Sequence, residues 1–408
     1  MSEVLDVEDV RSRFPALERT EQGRPVAYLD GPGGTQVPET VIEAMASTLR
    51  RGVSNLGGGF GASDEAVRIT NESRQAIADL FNGDPTGVVF GQNMTSLTFA
   101  VSRALAATWS EGDSVVLTGL DHDANFTPWQ RVAAERGIEV RVAEPDRETG
   151  ELAPDAVTRL LDETVRLVAV PFASNALGNV VDVAAICAAA RETGAISYVD
   201  AVHAGPHRLI DVAAVGADFV AASSYKFFGP HIGVLHGLPE HLATMDAYKV
   251  RPAPSDPPGK WETGTQSFES LAGVTAAVGH IASLGTGEGR SAIESGMARI
   301  GDHERELGRR FLEGIAGMRH VRLYGVPEMN EHRVATFAVA VDGMHPDHVA
   351  AVMAERGVYV WSGHYYAVNL MDRLGLLDGG GLVRIGFVHY NTAEEVDRVL
   401  EVLGSLAG

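Results

Sequence analysis

The chain has 408 residues, 45% of them hydrophobic, and its 54 acidic and 33 basic residues give a formal net charge of −21. This length allows about two to three domains with sizeable cores, and the acidic balance argues against a nucleic-acid or membrane-surface partner. A single cysteine, Cys187, excludes an internal disulfide and a zinc–cysteine cluster, and the absence of a signal-like amino terminus or an apolar span predicts a cytoplasmic protein.

Between residues 88 and 237, short apolar runs alternate with amphipathic segments. The apolar runs are 88–90, Ser114–Thr118, 166–171, Ile196–Asp200, 218–223 and Gly233–Gly237. Helical patterns at 155–162 and 183–192 lie between them. The alternation predicts strand–helix–strand units with a mostly parallel sheet, and the continuous apolar runs predict strands that are covered on both faces.

A proline- and glycine-rich break at 251–265 divides this region from a second one. Helical sequence continues to about residue 317. Strand-like segments follow at 333–341, 357–361 and 382–388. A final helix at 392–406 opens with a capping box at Thr392 and Glu395. We therefore predict an α/β protein with an N-terminal arm at 1–22, a large domain at 23–265, and connecting helices plus a small α+β domain at 266–408.

Lysine is rare in this chain, which draws attention to Lys226. Lys226, Lys249 and Lys260 are the three lysines among the 33 basic residues. Lys226 follows an apolar run and lies between Tyr225 and Phe227. A solvated loop lysine is the ordinary alternative, but partial desolvation by these rings lowers the pKa of the amine and favours a nucleophile.

The preceding strand ends in Asp200, and His203 follows three residues later. The carboxyl end of a parallel strand faces the ligand crevice, although Asp200 could also cap a helix. His203 and His207 have the spacing of a helical metal site. Gly205 and Pro206 between them break the helix that such a site requires, so we predict no metal.

The segment VVFGQNMTSLTF combines a strand, a turn and the start of a helix. Helix N-termini bind anions, although any Ser or Thr cap looks similar. The glycines at 31–34 and 57–59 lack the spacing of a dinucleotide site. A lysine amine, a carboxylate and an anion cradle are together what pyridoxal phosphate (PLP) requires, for its Schiff base, its ring nitrogen and its phosphate.

The order of eight motifs resembles the class V aminotransferase family of PLP fold type I, and most closely its cysteine desulfurase-like branch. The motifs are YLDGPGGTQVP (28–38), DHDANFTPW (121–129), SNALG (174–178), DAVH (200–203), SSYK (223–226), ETGT (262–265), SGHYYA (362–367) and VRIGFVHYNTAEEVDR (383–398). The resemblance implies a large domain with a mostly parallel seven-stranded sheet, a smaller C-terminal domain, PLP as cofactor and a homodimer with a shared active site.

The resemblance also implies roles for individual residues. Lys226 forms the internal aldimine and then moves the Cα proton, Asp200 keeps the ring nitrogen protonated, and His122 stacks on the ring. The phosphate is bound by Ser223 and by the backbone amides around Asn93, Met94 and Thr95.

Further residues are implied at the edges of the same site. His203 lies near the phenolic oxygen of the cofactor, and Asn175 lies near that oxygen and the substrate carboxylate. Arg384 binds the α-carboxylate, which suits guanidinium geometry. Thr265 reaches the phosphate of the partner subunit's cofactor, and Phe60 lines the mouth of the site.

The loop SGHYYA departs from the desulfurase pattern, because Tyr366 occupies the position of the nucleophilic cysteine and Tyr365 precedes it. Trp361 and Tyr225 also replace an arginine and a histidine that relatives carry. Cys187 lies on an apolar helix face, which is typical of a buried, unreactive thiol. The persulfide-forming step of a desulfurase therefore has no nucleophile.

We accordingly predict a PLP-dependent enzyme that acts on an amino acid through an external aldimine, and foremost a β-eliminating C–S lyase on a cysteine-like substrate. Its catalytic residues are Lys226, His122, Tyr365 and Tyr366, the two tyrosines serving as acid to the leaving group or shaping its pocket. Transamination and epimerisation remain alternatives, since they differ only in where the next proton goes. A PLP-binding regulator or sulfur-transfer partner is the non-enzymatic alternative, but the chain offers it neither a basic module nor a loop cysteine.

Overall fold

A seven-stranded sheet forms the centre of the large domain. The computed structural model describes residues 5–21 and 23–407. In the described chain, the order of strands across the sheet is Val88–Gly91, Gly233–Gly237, Phe219–Ser223, Ile196–Asp200, Val165–Pro171, Ser114–Thr118 and Glu139–Ala143. Gly233–Gly237 is antiparallel to both neighbours, and the remaining pairs are parallel. The predicted mostly parallel seven-stranded sheet is confirmed.

The central strands of this sheet are buried on both faces because alternate side chains enter different cores. In Ser114–Thr118, Val116 packs into one hydrophobic cluster, whereas Val115 and Leu117 pack into another. Successive side chains of a strand point to opposite faces, so continuous apolar runs are what a sheet between two helical layers requires.

Helices cover the sheet and connect it to the rest of the chain. The α-helices of the described residues are Val7–Ser12, Glu39–Arg51, Gly61–Phe81, Met94–Ala106, Thr127–Arg136, Pro154–Thr158, Val183–Thr193, Val212–Val215, Pro239–Thr244, Phe268–Ser283, Gly289–Ile315, Pro346–Glu355, Val368–Arg373 and Ala393–Ser405. Short 3₁₀ turns include Asp123–Asn125 and Ser224–Lys226. Within the residues described, no helix is both long and apolar enough to cross a membrane.

The smaller C-terminal domain contains a four-stranded antiparallel sheet. Its strands, in order, are Val321–Tyr324, Thr336–Val341, Leu382–Gly386 and Trp361–Gly363. Two short pairs complete the described strands, Thr20–Glu21 with Arg24–Pro25 and Ala27–Tyr28 with Val358–Tyr359. The last pairing brings the segment at 27–28 onto the small domain. The predicted domain bounds stay a prediction, and residues 1–4 and 22 of the predicted arm lie outside the described residues.

Besides the two-residue strands Thr20–Glu21, Arg24–Pro25 and Ala27–Tyr28, the sequence patterns missed the longer strands Glu139–Ala143 and Val321–Tyr324. Both lie at a sheet edge and have partly exposed side chains, so neither carries the continuous apolar run of a central strand. The predicted helix at 155–162 is shorter in the structure, as Pro154–Thr158. The long helical region before residue 317 is two helices, which the glycine-containing segment 284–288 separates.

Candidate active site

Residues of both domains line a cavity of about 480 Å³. The structure brings together at this cavity twelve of the residues that the sequence predicted, namely Asn93, Met94, Thr95, His122, Asn175, Asp200, His203, Ser223, Lys226, Tyr365, Tyr366 and Arg384. Thr265 and Phe60 are exposed and do not line the cavity of their own chain. Trp361 and Tyr225, the two further departures from the family pattern, also contribute to the wall.

Lys226 lies at the bottom of the cavity, in the 3₁₀ turn that follows the strand Phe219–Ser223. Its Nζ donates a hydrogen bond to the carbonyl oxygen of Pro32 and lies 4.9 Å from the centre of the Tyr225 ring. Burial and the positive charge of Arg384 lower the pKa of Lys226 to about 7. A substantial fraction of this amine is therefore neutral near physiological pH, as a nucleophile requires.

Asp200 ends the neighbouring strand Ile196–Asp200 and is buried. Its carboxylate accepts a hydrogen bond from the backbone N–H of Val202 at 2.9 Å. Burial raises the pKa of Asp200 to about 6, while the charge of Lys226 acts in the opposite direction. A cationic ligand atom beside this carboxylate would stabilise its ionised form.

The helix Met94–Ala106 begins at the cavity wall and points its N-terminus there. Asn93 caps it by accepting a hydrogen bond from the N–H of Ser96 at 2.9 Å, and the N–H of Met94 donates to Ser223 Oγ at 3.2 Å. A Cβ at Gly233 would lie 2.2 Å from the backbone of Asn93, so only glycine allows the strand to approach this turn. The exposed Thr95 and the partial positive charge of the helix N-terminus suit a phosphate.

His122 lies on another wall of the cavity and is neutral at physiological pH. Its Nδ1 accepts a hydrogen bond from the N–H of Ala124 at 3.0 Å. Burial, with the charges of Lys226 and Arg384, lowers the pKa of His122 to about 4. Its ring stacks on Tyr366, with 5.2 Å between ring centres and an interplanar angle of 24°. A neutral, fixed ring of this kind suits stacking on a flat cofactor.

Arg384 extends from the small-domain sheet into the cavity. Its Nη1 donates to the carbonyl oxygen of Asn175 at 2.7 Å, and its guanidinium carbon lies 4.3 Å from the centre of the Tyr365 ring. Its Nε is buried without a hydrogen-bond partner among the described residues. Burial lowers the pKa of Arg384 to about 10, which leaves it charged at neutral pH. It therefore offers unused donors to a carboxylate.

Tyr365 and Tyr366 occupy strained backbone positions. Their φ angles are +53° and +59°, a region that non-glycine residues seldom adopt, and two in succession mark a constrained loop. The Tyr365 hydroxyl donates to the carbonyl of Leu382, and burial raises its pKa. Tyr366 is exposed, and its carbonyl accepts from the N–H of Asp123 at 2.8 Å. The two tyrosines are thus not equivalent, since the phenol of Tyr365 is already bound to the backbone.

A chain of buried polar groups lies behind the cavity wall. His203 Nε2 lies 3.1 Å from Thr336 Oγ1, and the rings of His203 and His207 are 5.3 Å apart. His207 Nδ1 lies 2.7 Å from a carboxylate oxygen of Glu304. His207 therefore pairs with one carboxylate, and within the described chain no group of three or more His, Cys, Asp or Glu could hold a metal ion.

Asp30 was not predicted as a site residue, and its side chain is largely buried near this cavity. Burial raises the pKa of Asp30 to about 6, and the charges of Arg384 and Lys226 oppose that shift. Its Oδ1 has no hydrogen-bond partner among the described residues. The motif YLDGPGG contains this aspartate, but the adjoining strand Ala27–Tyr28 has two residues and gave no strand signal.

Cys187 lies away from the cavity, in the helix Val183–Thr193. It is 1% exposed, and burial raises the pKa of its thiol to about 11. Among the lining residues there is no cysteine. Thiolate chemistry at this cavity therefore has no source within the chain.

The groups of the cavity fit PLP. Lys226 supplies an amine of lowered pKa, Asp200 a buried carboxylate for a protonated ring nitrogen, and the N-terminus of Met94–Ala106 a cradle for phosphate. His122 supplies a ring for stacking, and Arg384 a cation for a substrate carboxylate.

Comparisons with known proteins agree with this geometry. A family model described as aminotransferase class V matches residues 27–399. A probable cysteine desulfurase of Methanothermobacter thermautotrophicus is 32% identical and covers 99% of both chains, and a cysteine desulfurase of Klebsiella pneumoniae is 32% identical over 97% of both. The apo structure of a cysteine desulfurase from Thermococcus onnurineus NA1 is 29% identical, covers 100% of this chain and 99% of its own, and superposes with a TM-score of 0.89.

Proposed function

Because the chain belongs to the class V aminotransferase family, with the predicted PLP fold type I and PLP as its cofactor, we propose that it is a β-eliminating C–S lyase acting on a cysteine-like amino acid. The observation that carries this proposal is that no cysteine is found among the described residues that line the cavity. Tyr366 stands at the cavity mouth, and the lone cysteine is buried in a distant helix. Elimination needs no enzymic thiol, whereas persulfide formation does.

Different residues around the cavity have different roles in such a reaction. When bound, PLP supplies an electron sink that stabilises negative charge at the Cα atom of the substrate. Asp200 keeps a proton on the ring nitrogen, and Arg384 binds the α-carboxylate with its unused donors. The amine of Lys226 then removes the Cα proton, for which its lowered pKa suits it.

The second half of the reaction breaks the Cβ–S bond. The electron pair of that bond leaves with sulfur, and a proton must reach the departing thiolate. We assign this proton to Tyr366, since its hydroxyl has no hydrogen-bond partner among the described residues and its ring lines the cavity. The phenol of Tyr365 is held by Leu382, so we assign Tyr365 to holding Arg384 through its ring. The remaining aminoacrylate hydrolyses to pyruvate and ammonia.

The test is a product analysis of the holoenzyme with S-alkyl-L-cysteines and with plain amino acids. The proposal expects equal amounts of pyruvate and thiol from the cysteine derivatives. A keto acid together with pyridoxamine phosphate, without thiol, would instead establish a transaminase. Loss of optical activity without either product would establish an epimerase.

We also propose that the enzyme is a homodimer in which each active site takes residues from the partner. Thr265 and Phe60 are exposed and lie outside the cavity of their own chain. Large apolar side chains are also exposed on the two neighbouring helices and on the loop between them, at Ile42, Leu49, Leu56 and Val67. Exposed apolar side chains in one part of the chain favour an interface. Sedimentation velocity should give a dimer that Leu49→Glu dissociates, and a monomeric wild type would contradict it.

A further inference from the structure

Two exposed aromatic side chains stand at the mouth of the cavity. Trp361 is 53% exposed and Tyr366 is 65% exposed, and both line the cavity. The other three tryptophans, Trp109, Trp129 and Trp261, are buried. Since an exposed indole forgoes the burial that normally stabilises it, two such rings at a ligand cavity point to an apolar group that they cover.

The position of each ring is fixed by a specific support. A Cβ at Gly33 would lie 2.3 Å from Nε1 of Trp361, so the absence of a side chain at Gly33 allows the indole to lie against this backbone. Tyr366 stacks on the neutral ring of His122. Both rings are therefore held in place before a ligand arrives, which lowers the entropic cost of binding one.

The charged groups of the cavity already have partners on the cofactor or on the α-carboxylate of the substrate in the proposed reaction. Among the described lining residues, the acidic and basic ones other than histidine are Asp200, Lys226 and Arg384. The first two serve the cofactor and the third serves the α-carboxylate. A substrate with a second charge on its side chain would find no oppositely charged Asp, Glu, Lys or Arg left for it among these lining residues of its own chain, and burying that charge unpaired is costly.

We propose that the substrate carries a flat, uncharged aryl group joined through the sulfur of a cysteine, and that Trp361 and Tyr366 contact this group. This inference rests on the proposed lyase function and names its substrate class. The Cβ–S bond breaks with its electron pair on sulfur, and the product is the corresponding aryl-bearing thiol. Free cysteine is then a poor substrate, because it leaves both rings uncovered.

The test compares substrates that differ in the flatness or charge of the side-chain group, while each releases a thiol whose sulfur is bonded to a CH₂ carbon. With the holoenzyme, S-benzyl-L-cysteine should be turned over with a kcat/KM roughly tenfold above that of S-(cyclohexylmethyl)-L-cysteine, and S-carboxymethyl-L-cysteine should be poorer than both. The Trp361→Ala variant should lose most of the benzyl preference through KM, and Trp361→Phe should restore part of it. Tyr248→Ala, which removes an aromatic ring that is 66% exposed and outside the cavity, should keep the full preference.

The outcomes distinguish a failure of this inference from a failure of the proposed lyase function. Pyruvate from all three substrates with no benzyl preference, or a preference that survives Trp361→Ala, would overturn the inference and leave the lyase intact. No pyruvate from any of them would overturn the lyase function, and the inference with it. If Trp361→Ala instead converts the protein to a monomer in sedimentation velocity, the indole belongs to a subunit interface and the inference is wrong.

Discussion

The base of the cavity and its rim come from different parts of the chain. The base consists of Asn93, Asp200, Ser223 and Lys226, each at or just after the end of a large-sheet strand. The rim consists of Trp361, Tyr365, Tyr366 and Arg384, all from the small domain. Groups that suit the cofactor thus lie in one domain, while the groups that we propose for the side chain and α-carboxylate of the substrate lie mainly in the other. A rim of separate origin can differ in chemistry while the base stays the same, and we interpret Tyr366, at the position where the family resemblance implies a cysteine, in this way.

The largest expected effect of any substitution is at the base. Lys226→Ala should abolish the visible absorption band that borohydride bleaches, and it should lower activity at least roughly a thousandfold, because the amine serves both as anchor and as base. Absorption spectra of the purified holoenzyme check this. Lys249→Ala, a lysine outside the cavity, is the matched control and should keep the band. A band that survives Lys226→Ala would show that another residue holds the cofactor.

At the rim, Tyr366→Phe separates proton donation from stacking. The variant keeps the ring on His122 but removes the phenol, so kcat for substrates that release an alkanethiol should fall roughly a hundredfold. Substrates that release a thiophenol, a better leaving group, should be slowed much less. Steady-state kinetics with S-methyl- and S-phenyl-L-cysteine measure the difference. Equal slowing of both substrates would exclude Tyr366 as the acid.

Arg384→Lys tests whether the rim binds the α-carboxylate. Lysine keeps the charge but loses the forked geometry, so KM should rise roughly 10- to 100-fold with a smaller change in kcat. S-methylcysteamine, which lacks the carboxylate, should be turned over equally slowly by the wild type and by the Arg384→Lys variant. If its kinetics also worsen in the variant, Arg384 acts on something other than the carboxylate.

The smallest expected effect is a pH dependence that belongs to the base. Only the neutral amine attacks an aldehyde, so uptake of PLP by the apoenzyme should rise about tenfold per pH unit below 7 and level off above it, where Lys226 is deprotonated. Stopped-flow absorption between pH 5.5 and 9 follows this. Nα-acetyl-lysine, with an ordinary pKa, should still be rising at pH 9. If the rate of PLP uptake by the protein keeps rising to pH 9, as the rate for Nα-acetyl-lysine does, the lowered pKa of Lys226 is contradicted.

The base could be predicted from the sequence because each of its residues follows an apolar run. Asp200 and Lys226 come at the ends of strands that are buried on both faces, and such strands are visible in the pattern of hydrophobic residues. Edge strands such as Glu139–Ala143 carry no comparable signal. Arg384 and the two loop tyrosines were located by the order of the family motifs rather than by periodicity.

The rest depends on contacts between residues that are distant in the chain. The contact of Trp361 with Gly33 and the burial of Asp30 near Arg384 follow from the packing of one domain on the other. The hydrogen bond from the Tyr365 hydroxyl to Leu382 joins two segments within the small domain. The two adjacent tyrosines both have positive φ angles and differ in burial and in hydrogen bonding. Neither packing nor φ can be read from residue types alone.

The most direct test of the thiol-independent elimination uses free L-cysteine with the wild-type enzyme and with Cys187→Ser. A lyase releases pyruvate, ammonia and sulfide in equal amounts, whereas a desulfurase releases alanine and leaves a persulfide on the protein. We expect slow formation of pyruvate and sulfide, without alanine, at the same rate in both proteins. Alanine with a protein-bound persulfide that disappears in Cys187→Ser would contradict it.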